Sequence, residues 1–178
     1  MQEDRRRIIE EKIGKAETRA VTSLALIRQT VKDFLCSEKG YADGEIEVDT
    51  KFEIGLDDVK ESVTVDYILR LCGKRFMVIK CSPGALESRD RHVVPFARIV
   101  DSYQVPFAVV TDGSHARILD AVSGKLVAED LNSIPDRSRA IEMLGSMEFI
   151  SYPRERRERE KRILLAFETI RCTEESCE

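Results

Sequence analysis

The sequence predicts a single mixed α/β domain, and three observations carry that expectation. An apolar stripe at helical spacing runs through the first forty residues, residues 46–81 switch to period-two alternation, and helix signals return after Pro135 and Pro153. The two periods mark helix and strand because side chains share one face every 3.6 residues in the first and every second residue in the other. At 178 residues and 42% hydrophobic content, residues 1–178 suit one domain with one core.

The first stretch, residues 5–36, reads as one long helix or two abutting ones. Ile9, Ile13, Ala16, Ala20, Leu24, Ile27, Val31 and Phe34 recur at steps of three or four. Gly14 is its weak point, and Gly40 is a stop signal. Ile46, Val48, Phe52 and Ile54 then alternate as a half-buried strand does, and Gly55 to Glu61 reads as a turn. Val63, Val65, Tyr67 and Leu69 alternate again. A tight Cys72-Gly73-Lys74 connection leads into Arg75 to Cys81, whose near-continuous apolar run predicts a central strand buried on both faces. These three strands are expected to form an antiparallel meander.

Residues 86–103 read as a helix whose regular part starts at Pro95, where a missing N–H is tolerated. Pro106 to Thr111 is a compact buried strand. His115 to Leu119 and Lys125 to Ala128 pair around Ser123-Gly124 as an edge hairpin. Helices follow at Pro135 to Leu144 and from Pro153 to about Arg171. The order helix, three strands, helix, strand, hairpin, two helices differs from the strict alternation of a doubly wound sheet. No glycine-rich phosphate loop occurs, so common nucleotide folds and ATP-driven translocation are not expected.

Charge and cysteine content narrow the class further. Charged residues reach 35% and the net charge is -4, so any nucleic-acid contact is expected from a local patch, not from the overall balance. Cys36, Cys72, Cys81, Cys172 and Cys177 lack CxxC spacing, and only His92 and His115 are available to join them, so no zinc site is expected. They read as reduced thiols of a cytoplasmic protein. Met1 to Glu11 lacks the apolar centre of a signal peptide, and no apolar run is long enough for a bilayer.

Four stretches, in this order and spacing, carry a resemblance. They are Ile27-Arg28-Gln29 with Phe34-Leu35, Gly40-Tyr41 with Ile46-Glu47-Val48, Val65-Asp66-Tyr67, and Pro106 to Gly113. Together they resemble the N-terminal domain of the type I restriction enzyme R subunit, a branch of the PD-(D/E)xK nucleases. The resemblance implies a restriction-endonuclease-like αβββαβ core over about residues 20–120, with peripheral helices at 1–19 and 153–172.

It also implies metal-assisted phosphodiester hydrolysis. In that family an Asp on the second strand and a Glu on the third hold magnesium, and a Lys two residues on helps position the attacking water. Asp66 matches the first role, as a metal ligand and catalytic residue; its alternative is a solvent-facing sheet position. The third strand departs from the E-x-K-x-P pattern. Aligning Pro83 puts Ile79 at the glutamate and Cys81 at the lysine, whereas sliding by one makes Lys80 the lysine and leaves Val78 at the glutamate. Neither register supplies a carboxylate. Glu17, Glu47, Glu87 and Asp90 are the candidates for a migrated acid. The bland alternative for Lys80 is an exposed residue between buried Ile79 and Cys81.

Among the remaining residues, His92 and His115 read as surface or structural, without a nucleophile partner at recognisable spacing. Cys81 reads as a small core hydrophobe. Arg154, Arg156 and Arg157 lead a basic run that is a nucleic-acid candidate, although Glu155 with Arg159 and Glu158 with Arg162 form the four-residue pairs of a solvated helix face. Arg5, Arg6 and Arg7 form a second cluster. Three functions follow in order. The first is a nuclease-fold module without standard catalysis, acting on nucleic acid or protein and needing no cofactor. The second is an active Mg2+-dependent DNA endonuclease with a migrated carboxylate. The third is a homodimeric structural protein joined through its terminal helices.

Overall fold

A computed structural model of the chain describes residues 14, 23–56 and 59–175. Helix α1 covers residues 23–33 and widens into a π-helical turn, Phe34–Glu38. It stops at Gly40, whose φ of 73° only glycine adopts at no cost, and Tyr41 N–H bonds back to the Leu35 carbonyl at 3.1 Å. The strands are β1 (Ile46–Leu56), β2 (Val59–Leu71), β3 (Lys74–Cys81), β4 (Phe107–Thr111), β5 (Ala116–Asp120) and β6 (Leu126–Ala128). The later helices are α2 (Asp90–Ile99), α3 (Arg137–Ser146) and α4 (Arg154–Glu175). The αβββαβ order is therefore present, and the fold is the expected mixed α/β class.

The six strands form one sheet in the order β1-β2-β3-β4-β5-β6. The meander β1–β2–β3 and the β4–β5–β6 run are antiparallel, and β3 and β4 are parallel. The α2 crossover is what makes that parallel pair possible, since a short turn cannot reverse the chain twice. Helices cover both faces. Val31 and Leu35 of α1 and Ala140 of α3 pack on Leu69, Met77, Ile79 and Val109. Val93 and Phe96 of α2 and Leu164 of α4 pack on Val63, Val78, Ala108 and Val110. β3 is buried on both sides from Phe76 to Cys81, as its continuous apolar run required.

Several local expectations change. Of the turn expected over Gly55 to Glu61, the described residues 55–56 and 59–61 are strand, because β1 runs to Leu56 and β2 begins at Val59, and these two are cross-strand partners. Val48 is exposed despite its place in the apolar alternation. Pro95 lies inside α2, not at its start, and the preceding residues Leu86–Arg89 form a 3₁₀ turn. The proline leaves unpaired only the carbonyl of exposed Arg91, one turn back, where water can serve it. His92 is not a surface residue. It is 2% exposed and its ring stacks on Phe167 at 4.5 Å and meets Phe96 at 5.1 Å. The helix expected over residues 1–19 lies outside the described residues apart from helical Gly14.

Candidate functional site

The site forms where β2 and β3 part. Their ladder runs from Leu71 and Lys74 to Tyr67 and Ile79, and no pair follows beyond them. At that fork the Asp66 carboxylate takes over from the backbone. Its Oδ2 accepts the Cys81 N–H at 2.8 Å and lies 3.3 Å from Lys80 Nζ. Lys80 Nζ also donates to the Thr64 carbonyl at 2.9 Å and sits 5.5 Å from the Phe96 ring centroid. Asp66 is 6% exposed and Lys80 5%, so neither is the solvent-facing residue that its bland alternative supposed.

The other carboxylate oxygen faces α1. Arg28 Nε lies 3.6 Å from Asp66 Oδ1, while its Nη2 pairs with Asp49. Asp49 stands between Val48 and Thr50, whose partners across the ladder are Tyr67 and Val65, and the pairing skips Asp49 and Asp66. The two carboxylates share one guanidinium, and Arg28 offsets their mutual repulsion. Asp49 itself has φ of 50°, a left-handed conformation that Asp tolerates better than most residues. Tyr67 Oη donates to the Arg28 carbonyl at 2.8 Å and fixes the helix against the sheet. Burial lowers the Arg28 pKa, but Asp66, then Asp49, outweigh it and raise the guanidinium above its ordinary value. Burial pushes the neighbouring Cys81 thiol up to about 12, which keeps it an inert thiol in the core.

Of the residues the sequence proposed, the structure brings Asp66 and Lys80 together and places the others elsewhere. Glu47 is held by Arg75, whose Nε and Nη2 donate at 3.1 and 2.7 Å. Asp90 is clasped by Arg117 at 2.9 to 3.2 Å, and exposed Glu87 is 3.8 Å from the same guanidinium. Glu17 lies outside the described residues. Val78 and Ile79, the two fillers of the glutamate position, are fully buried in the clusters on opposite faces of the sheet. Arg154 and Arg156 are exposed, whereas Arg157 Nη2 donates to the carbonyls of Ile99 and Asp101 and caps the end of α2.

Sequence reasoning missed Asp49 and the use of Arg28, together with a second buried network behind α4. There Glu160 is 2% exposed and accepts from Arg98 Nη1 at 3.0 Å and from Tyr152 Oη. A glutamate within an arginine-rich helical run carries no signal of burial. The cue available was Leu164, one turn along the same face.

The fold and the fork define a mixed α/β domain of αβββαβ order, consistent with a nuclease-like fold, with an acid and a lysine at the parting of β2 and β3. A family model for the type I restriction enzyme R protein N terminus (HSDR_N) matches residues 25–135, more than half of the chain. The chain belongs to that family. No curated protein and no solved structure matches it. Among the described residues, no helix is long and apolar enough to cross a membrane.

The fold family implies magnesium, which takes octahedral oxygen donors, commonly a carboxylate or two with several waters. The described donors do not fit it. The glutamate positions are apolar, and Asp66 spends one oxygen on Lys80 and a backbone N–H and turns the other toward Arg28. No group of three or more His, Cys, Asp or Glu among the described residues is placed to hold an ion.

Proposed function

We propose that this domain uses the nuclease fold to bind DNA without standard metal-dependent cleavage. The observation that carries this reading is the closure of the Asp66 carboxylate by Lys80, the Cys81 N–H and Arg28. A carboxylate that is to hold a divalent ion must offer it an oxygen, and a lysine that is to assist attack must reach toward the phosphate. Here each neutralises the other. Exposed Arg154 and Arg156 on α4 supply the basic side chains for phosphate contact.

The test is incubation of the purified protein with linear and supercoiled DNA in Mg2+ or Mn2+, beside a binding measurement at two salt concentrations. Binding that weakens with salt, without cleavage, is the expected result. Cleavage that disappears in Asp66→Ala overturns the reading and favours the active-endonuclease alternative. Absence of DNA binding with capture of a protein partner, or self-association in sedimentation, moves the function to a protein-interaction or dimeric role.

A further inference from the structure

The closure of the fork has a specific agent on the solvent side. Lys80 and the Cys81 N–H engage Oδ2 of Asp66, while Oδ1 and the Asp49 carboxylate converge on one guanidinium. Asp49 has a half-exposed side chain, at 51%, so ions in solution reach this edge of the cluster. We infer that Arg28 is the internal counter-cation of this site, occupying the place between Asp49 and Asp66 and denying it to divalent ions. The inference deepens the proposed function, resting on its reading of a closed fork and naming the residue that closes it.

Two contacts from Tyr67 hold the guanidinium there. Its hydroxyl bonds the Arg28 carbonyl at 2.8 Å, and its ring centroid lies 5.9 Å from the guanidinium carbon. Gly113 in the β4–β5 turn lies beside the same helix turn, where a Cβ would sit in ordinary contact with Ile27 and Thr30 at 3.7 Å. The guanidinium is permanently charged and planar, and it bridges two carboxylates without the dehydration that a hard divalent ion requires.

The experiment measures Mn2+ binding by calorimetry, and by the Mn2+-induced change in melting temperature, in wild type, Arg28→Ala, Arg28→Gln and Arg28→Ala/Asp49→Asn. Wild type is expected to show no binding at this site, and Arg28→Ala to bind at least about tenfold more tightly, as two freed carboxylates acquire an ion. The gain disappears in the double variant. Arg28→Gln, which keeps length and polarity, carries the same expectation should the alanine variant fail to fold. Folded Arg28 variants that gain no affinity overturn the inference while leaving cleavage-free DNA binding intact. Mn2+ bound to wild type and lost in Asp49→Asn overturns it without any Arg28 variant. Cleavage by wild type instead strikes at the proposed function.

Discussion

Asp66→Ala separates a structural acid from a catalytic one. Removing the carboxylate leaves the Cys81 N–H without its acceptor at a residue 3% exposed, and strips Lys80 of a counter-charge 3.3 Å away. Breaking a buried ion pair by deleting one partner costs about 3–5 kcal/mol, and that figure already contains much of the orphaned hydrogen bond. For a chain of this length the loss corresponds to a fall in melting temperature of roughly 6–20 °C. Asp66→Asn keeps an acceptor oxygen for Cys81 and loses only the charge, so it should fall between, at about 1–3 kcal/mol. Urea and thermal unfolding of the three proteins, followed by circular dichroism, give the comparison directly. An alanine variant as stable as wild type, or more stable, would refute the reasoning. That is the behaviour of an acid held under strain for catalysis, whose removal commonly relieves it.

Four further outcomes follow from the same structure. Arg157→Ala should destabilise the protein by about 1–2 kcal/mol through loss of the α2 cap and leave DNA affinity unchanged, whereas Arg154→Ala and Arg156→Ala should weaken DNA binding and reduce its salt slope by about one each; filter binding across a salt series checks the division. Glu160→Ala should cost about 3 kcal/mol in urea unfolding because it strands Arg98 and Tyr152 in a buried network, with Glu160→Gln recovering part of the loss. Iodoacetamide at pH 8 should label exposed Cys72 well before Cys81, whose thiol is raised to about 12, and equal rates by mass spectrometry would contradict its burial. Hydrogen bonds from Arg137 hold Glu45 below its ordinary value, so its contribution is full above the unfolded-state pKa and is lost as pH falls through the lower folded one. An acid titration of stability should therefore flatten in Glu45→Gln.

The fold was legible because its elements are strongly patterned. The apolar run of β3 and the compact β4 each translate into a burial state that one pattern describes, and both lie where the sequence placed them. The alternation of β2 does not, because Val65 to Leu69 are all buried and Val63 and Val65 pack on one face of the sheet while Tyr67 and Leu69 pack on the other. The misplaced turn has a different cause, since the end of a strand is set by its cross-strand partners, and these carry β1 to Leu56 and β2 back to Val59. Pro95 inside α2 was likewise unreadable locally, since its tolerance depends on how exposed the preceding turn is.

The legibility of the site follows a different rule. A motif search asks which residue types occur at which spacing, and on that test Asp66 and Lys80 stood out while the glutamate was missing. Whether an acid remains available is a question about its partners, and those come from the whole sheet and helix. Arg28 was visible only as part of a helix pattern, and Asp49 only as a polar residue in a strand. They acquire meaning together because α1 is pinned by Tyr67 where one guanidinium reaches both carboxylates. With apolar Val78 and Ile79 beside them, Asp66 and Asp49 have Lys80 and Arg28 as described counter-charges, and a carboxylate already paired with a cation has little electrostatic reason to recruit a metal. That pairing comes from residues spread over α1, β1, β2 and β3, which a spacing search along one strand does not read.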